Sequence, residues 1–402
     1  MYTYMIIELI AWIIGLVAIA LIIFKFGFFS WLNKKRKKLS LVTWVALGTL
    51  VFAIFLGTYA AHPNPLSFAL PPFMQSKAPG GLAPSIPIPT ALKFLLNSGD
   101  FEKVDDIGAD PNAVPAPITR TESTTVEFDL TAKEVIGEVI DGVQFNYWTY
   151  NGTAPGPMLR VREGDDVIVN LTNDKSSLHE HNIDFHAVTG PGGGAAVTKV
   201  QPGETKSFKW KAINPGLYVY HCATANISTH NAHGQYGMIM VDPVEGLPEV
   251  DKEFYVMQGE LYTAGGLGKK GLTVFDSQGL IDGQPTYVTF NGKVEDAPRM
   301  TAKVGDKIRM YVGNGGVNLI SSFHVIGEIF DNVYPEAAIG SEPHHNVQTT
   351  AVLPGGASIV EFTVDVPGDY TLVDHALARM NKGAWAVLRV EGEQNPEIFQ
   401  TL

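Results

Sequence analysis

Two apolar stretches open the chain, over residues 5–24 and 39–61, each about 20 residues or longer and so able to cross a hydrocarbon core of about 30 Å as a helix. Between them stands Lys34-Lys35-Arg36-Lys37-Lys38. A short loop this basic stays on the cytoplasmic side, so the pattern predicts a two-helix transmembrane hairpin over 1–61 whose ends, and everything after Ala61, face outward. Trp31 and Trp44 flank the basic loop, where interfacial aromatics are expected. The competing reading is a signal peptide with 34–38 as its basic region and 41–61 as its apolar core. That core is longer than the usual span of about 7–15 residues, and a whole apolar stretch precedes it. Glu8 is expected to snorkel to the outer surface, with a proton or quinol role as the sharper alternative.

Residues 62–106 read as a Pro-rich linker. Eight prolines between Pro63 and Pro89 predict extended, non-helical chain over much of it, with one helical turn over 91–96. Leu66, Phe68, Leu70, Phe73 and Met74 are costly to leave in water, so the segment is expected to lie against folded protein.

From about residue 107 the polarity alternates with a period of two, in short runs separated by Pro-Gly and Asn-Gly turns, the signature of β-strands. Residues 166–171 and 205–210 are examples of half-buried strands. The pattern also repeats. Asn151-Gly152 followed by Arg162-Glu-Gly-Asp-Asp-Val-Ile-Val169 returns as Asn291-Gly292 and Lys303-Val-Gly-Asp-Lys-Ile-Arg-Met310. Phe185-His186 returns as Phe323-His324, and Val219-Tyr220-His221 as Val373-Asp374-His375, with His221 and His375 each preceded by two Pro-Gly turns. The order is kept throughout, which a duplicated domain produces. Two β-sandwiches of one kind are predicted, over 107–245 and 250–395, with Phe208, Trp210, Tyr218 and Tyr220 as core and interface filling.

Composition narrows the function. Among 402 residues there are 41 Gly and 25 Pro, in keeping with turn-rich β structure, and a single Cys, which excludes an internal disulfide framework. The formal net charge is −12, yet residues 1–61 hold six basic side chains and one acid. The remainder is therefore more acidic still, a poor surface for nucleic acid.

Six of the eleven His fall between 179 and 233, around the only Cys. Cys222 and His230 stand eight apart, with His181 about forty residues upstream. A thiolate with two imidazoles is a donor set that selects copper for electron transfer, completed by a weak axial ligand. His221 cannot serve the same ion as Cys222, because neighbouring residues on a strand point to opposite faces. It is expected to hold a second metal, which His186 can also reach. Such an arrangement joins two centres by one stretch of backbone. In the second repeat His324 and His375 are retained, but Ala376 stands where the Cys would be.

These strings, with Asn151-Gly-Thr-Ala-Pro-Gly-Pro157, His181-Asn-Ile-Asp-Phe-His186, Thr189-Gly-Pro-Gly-Gly-Gly-Ala195 and Phe323-His-Val-Ile326, make residues 107–395 resemble the copper-containing nitrite reductases. The resemblance implies an all-β fold of two tandem cupredoxin-like Greek-key sandwiches, here behind two transmembrane α-helices, assembled as a homotrimer. It implies a type 1 copper on His181, Cys222 and His230, and a type 2 copper on His186, His221 and a neighbouring subunit's His375. The proton-delivering pair would be Asp184 and His324, with Ile326 shaping the nitrite pocket. The implied reaction is the one-electron reduction of nitrite to nitric oxide, a step of denitrification and nitrate metabolism, carried out on the periplasmic side of the inner membrane.

The chain departs from the family five residues beyond His230, where methionine is usual and Gln235 stands. Glutamine oxygen is an alternative axial ligand, harder than a thioether, and it favours Cu(II). The other reading turns Gln235 away and brings in Met238 or Met240. His179, His233 and the pair His344-His345 receive no metal; His233 is expected to face solvent, and His344-His345 to lie on a loop. Two rival functions remain. An electron-carrying cupredoxin or oxidase subunit II-like protein would need a second Cys for a dinuclear centre, and a multicopper oxidase would need further His pairs. The electron donor is expected to be a quinol, reached through the hairpin, or a periplasmic cytochrome c or cupredoxin.

Overall fold

In a computed structural model of the chain the described residues are 99–294 and 297–402, with ten helical positions between Ile14 and Phe52. Contacts divide the chain into a first unit, 1–69 with 76–85, and a second, 70–75 with 86–402. In the first, Ile14, Gly15, Val17, Ala18 and Leu21 are helical, as are Val45, Gly48, Thr49, Leu50 and Phe52. The Thr49 hydroxyl donates to the carbonyl of Val45 at 2.9 Å, one helical turn back. Most of the two expected spans lies outside the described residues, as do the linker prolines and the turn expected over 91–96. Among the described residues no helix is long and apolar enough to cross a membrane.

The second unit is mostly β-structure. The first repeat supplies β1 (Thr125–Ile140), β2 (Val143–Tyr150), β3 (Leu159–Arg162), β4 (Asp166–Asn173), β5 (Asp184–Phe185), β6 (Thr205–Lys211), β7 (Gly216–His221), the helix α1 (Ile227–Ala232) and β8 (Tyr236–Asp242). The second supplies β9 (Lys252–Leu261), β10 (Gly271–Leu272), the helix α2 (Ser277–Ile281), β11 (Tyr287–Phe290), β12 (Met300–Lys303) and β13 (Lys307–Asn314). Then follow β14 (Ser321–Ile326), β15 (Phe330–Tyr334), β16 (His344–Val347), β17 (Thr349–Val352), β18 (Ala357–Thr363), β19 (Gly368–Asp374) and β20 (Trp385–Glu391). One sandwich pairs the sheet β10-β2-β1-β4-β6 with β3-β8-β7-β5, and the other pairs β11-β9-β13-β18-β15-β16 with β12-β20-β19-β14-β17.

The duplication read from the sequence returns in the pairing. β1 runs parallel to β4, as β9 does to β13, and β3 runs parallel to β8, as β12 does to β20. Parallel neighbours need a crossover between them, so four matched parallel pairs are hard to obtain except by repeating one topology. Both Asn-Gly turns place both residues at positive φ, Asn151 and Gly152 at 58° and 88°, Asn291 and Gly292 at 49° and 85°. That conformation suits Asn followed by Gly. In each turn the Asn side chain also accepts from a strand N–H, of Thr131 in one and Met257 in the other.

Burial follows the alternation. β4 is buried at every second residue, and Val167, Val169 and Leu171 enter a core with Phe185, Trp210, Tyr220 and Val241. Phe254, Ile308, Met310, Phe323, Phe362 and Leu388 build the equivalent core of the second sandwich. A third apolar layer joins the two: Leu217, Val219, Met238 and Met240 pack with Tyr255, Met257, Tyr311 and Ile359. Met238 and Met240 are therefore core residues of this layer.

Beside that layer runs a buried ion-pair chain. The Arg160 Nε donates to Asp242 at 2.8 Å and its Nη1 to Glu253 at 2.9 Å. Arg309 donates to Glu253 at 3.1 Å and to Glu361 at 2.8 Å, and the Tyr311 hydroxyl donates to Glu253 at 2.6 Å. Glu253 thus ties an arginine of each repeat. Removing one partner from such a set strands a buried charge. Arg309→Met is expected to lower the unfolding free energy by about 3–5 kcal/mol, because Glu361 is left buried. Adding Glu361→Leu should recover most of the loss; urea denaturation of the single and double variants checks both.

Candidate functional site

β7 ends at His221, and its two neighbours in the sheet set the site. β5 pairs with it at Asp184↔His221 and Phe185↔Tyr220, and β8 pairs with it at His221↔Tyr236. The Cys222 N–H then donates to the Gln235 carbonyl at 3.1 Å, which extends the ladder one residue further. His181 is fixed on the other side by reciprocal backbone bonds with Val200. His230 comes from α1, which Asn226 begins in the left-handed region at φ 67°. Asn182 closes the arrangement: its Oδ1 accepts from the Ala223 N–H at 2.7 Å, and its Nδ2 donates to the Ala195 carbonyl.

Adjacent residues of one strand consequently enter different clusters. On one side the Cys222 Sγ lies 3.2 Å from the His230 Nδ1, which lies 3.3 Å from the His181 Nδ1 and 3.2 Å from the Gln235 Oε1. All four residues are buried, three of them at 0% exposure. Four donor atoms converge out of reach of water, and a soft sulfur with two imidazoles suits copper above other ions. Burial, then the positive charge of nearby His179, pushes His230 down to about 3. Its ring is neutral at ordinary pH, as a metal ligand requires.

On the other side the His221 Nε2 meets the His186 Nε2 at 3.0 Å. The His221 Nδ1–H donates to the Cys222 carbonyl at 2.9 Å, so the facing nitrogen carries the lone pair. Burial and the nearby charge of His186 lower the His221 pKa. Two imidazoles aimed at each other cannot both hold a proton in that gap, whereas a cation satisfies both. The Asp184 carboxylate joins them, its ligand atom within 4.8 Å of theirs. Gly193, at φ +54°, makes room for it, since a Cβ there would fall 1.8 Å from the Asp184 Oδ1. The chemistry of both sets fits copper.

His324 and His375 sit together elsewhere in the second sandwich, on β14 and just beyond β19, with ring centres 5.3 Å apart. The His324 Nδ1–H donates to the Gln348 carbonyl at 2.5 Å. Ile326, on the same strand, is 45% exposed. Among the described residues, the groups able to hold a metal are His181, Cys222, His230 and Asp184, His186, His221; His375 joins neither within the chain.

Two expectations need correcting. His233 does not face solvent: it is 3% exposed, stacked on Trp148 at 4.3 Å, with its Nδ1–H donating to the Thr229 carbonyl at 2.7 Å. The aromatic stack shields it, since Phe145 and Phe275 cover its remaining surface. His344 and His345 lie on the exposed edge strand β16 instead of a loop, because the chain there pairs with β15. Sequence reasoning missed Trp148, whose ring contacts His179, His181, His230 and His233, and Glu134, which reaches His179 and His181 from β1. An aromatic and an acid at buried positions of a strand carry no spacing signal of their own.

Comparison with known proteins adds the following. The family model "Multicopper oxidase" matches residues 131–246. The chain is 52% identical over 306 residues to a copper-containing nitrite reductase of Neisseria meningitidis serogroup B, covering 75% of this chain and 78% of that protein. It is 34% identical over 299 residues to a copper-containing nitrite reductase of Alcaligenes faecalis, covering 69% and 79%. Among solved structures, the copper nitrite reductase of Nitrosomonas europaea superposes with a TM-score of 0.59 at 32% identity, covering 68% of this chain and 96% of that one.

The buried His233 makes stability depend on pH. Burial lowers its pKa from 6.5 to about 3. Above about 6.5 it is neutral folded or unfolded; as pH falls toward 3 only the unfolded chain takes the proton, so stability drops through that window. In copper-free protein, His233→Phe should flatten the fall in unfolding free energy between pH 7 and pH 4 by about one bound proton, read by denaturant titration at each pH.

Proposed function

The chain belongs to the copper-containing nitrite reductase family and is a copper-dependent enzyme of nitrite reduction, and on that footing we propose a membrane-anchored enzyme that makes nitric oxide at a type 2 copper supplied by a type 1 copper. The two domains are residues 107–245 and 250–395. His181, Cys222 and His230, with Gln235 beside them, would hold the type 1 copper. The type 2 ligands are His186 and His221 of one chain and His375 of another, in a homotrimer. The observation that carries the reading is that His221 and Cys222, adjacent in sequence, enter two separate donor clusters.

Copper supplies a one-electron couple at the thiolate set and an open Lewis-acid position at the imidazole set. Nitrite needs one electron and two protons to become nitric oxide and water, so the protein must also hold protons beside the substrate. Asp184 would supply the first, from beside His186 and His221. His324 would supply the second; its Nδ1–H is committed to the Gln348 carbonyl, which leaves Nε2 to exchange a proton. Cys222 and His221 offer one continuous covalent path between the sets. Ile326 is exposed and apolar, suited to cover the substrate side of a site completed by a second copy.

Gln235 is supported as the axial residue by its Oε1, 3.2 Å from the His230 Nδ1, while both methionines weighed against it are in the core. The multicopper oxidase alternative lacks a third donor cluster among the described residues. The hairpin over 1–61 rests on its apolar length and basic loop. It favours quinol as donor, on the periplasmic face of the inner membrane; a periplasmic cytochrome c or cupredoxin is the other candidate.

His375→Ala is expected to abolish nitric oxide formation from nitrite and a reductant, with a loss of at least about 100-fold, while the blue absorption of the thiolate centre persists. Turnover at the wild-type rate would remove His375 from the site.

A further inference from the structure

Glu134 is fully buried on β1, beside the His cluster, and no step above uses it. Its Oε1 accepts from the N–H groups of Leu178 and His179, both at 2.8 Å, and from the His179 Nδ1 at 3.0 Å. The same oxygen lies 3.5 Å from the His181 Nε2. Its Oε2 and the His181 Nε2 are both buried without a hydrogen-bond partner. A buried carboxylate oxygen left unpaired is costly, as is an unpaired imidazole nitrogen. Here the two orphans belong to side chains that face each other.

The ring orientation decides the proton. The His181 Nδ1 points into the thiolate cluster, 3.3 Å from the His230 Nδ1, so as a ligand it must carry the lone pair. The hydrogen is then on Nε2, toward the carboxylate. Carboxylates behind ligand imidazoles fix the ring's orientation and raise its basicity. A fixed negative charge one ring away from a metal also stabilises the more positive oxidation state.

We propose that Glu134 is the positioning residue of the thiolate copper centre, holding His181 with Nδ1 toward the ion and lowering its reduction potential by favouring Cu(II) over Cu(I). Through its shared hydrogen bond, His179 tempers that effect: it draws on the same Oε1, and its side chain is partly open to solvent, at 24%. The hard oxygen of Gln235 acts in the same direction as Glu134, so the centre is built from two sides for a low potential. This inference rests on the copper reading of Cys222, His181 and His230.

The test is a redox titration of copper-loaded full-length protein, following the blue absorption. Glu134→Gln keeps an oxygen for the two backbone N–H groups and removes the charge. It is expected to raise the potential, shifting the Cu(I)/Cu(II) ratio at the wild-type midpoint by about tenfold, or about 59 mV for one electron. His179→Phe leaves the charge and frees the Oε1 for His181, and is expected to shift the potential the other way. A merely structural residue would not give opposite signs. Wild-type potentials in both variants would overturn the proposal, as would shifts of the same sign. If Glu134→Gln does not fold, an unchanged or raised potential in His179→Phe overturns it alone. A wild-type protein that takes up copper without any blue absorption would instead overturn the copper reading itself, before either variant is compared.

Discussion

Side-chain alternation along one strand is the constraint from which the rest of the site follows. At the end of β7 the backbone continues its ladder with β8 through Cys222, so His221 and Cys222 are held to opposite faces. One face is sealed by Trp148, Asn182 and the core of the first sandwich. The other is open toward His186 and Asp184. A single hydrogen-bonded strand end thus creates two environments, one dry with a sulfur and one more open with imidazoles, a few bonds apart. Loosening the Cys222–Gln235 backbone bond would disturb both at once.

The dry environment is maintained by rings. Trp148 contacts four imidazoles, and His233 fills the space behind it with Phe275 from the second repeat. β10 from that repeat also adds to the edge of the first sheet, beside β2. The second sandwich, which lacks a Cys of its own, therefore supports the sulfur-containing cluster of the first. It also keeps His324 and His375 on β14 and after β19, in positions that mirror His186 and His221 in the repeat. A duplicated fold with a thiol in one repeat and Ala376 at the matching place in the other accounts for both features.

Much of this was legible in the sequence because it depended on period and spacing. The alternation of β4, the two Asn-Gly turns and the ordered repeat pointed to paired sandwiches, and the architecture is two of them. The clustering of His around one Cys pointed to the residues that the fold brings within a few ångströms. Burial, by contrast, left little trace. The polar string around His233 reads as a surface turn, yet ring stacking closes over it. Glu134 reads as one more charge on an alternating strand, and only the register of β1 against β2 turns it inward toward His179 and His181. Ion pairs such as Arg160–Glu253–Arg309 join residues far apart in the chain, so no local pattern announces them.

The most direct test of the account is copper content combined with electron paramagnetic resonance on the fully loaded full-length protein. Two coppers per chain are predicted, with two superposed Cu(II) signals: one of narrow hyperfine splitting that accompanies the blue colour, and one of ordinary splitting that nitrite perturbs. One copper per chain, or a single signal indifferent to nitrite, would contradict it.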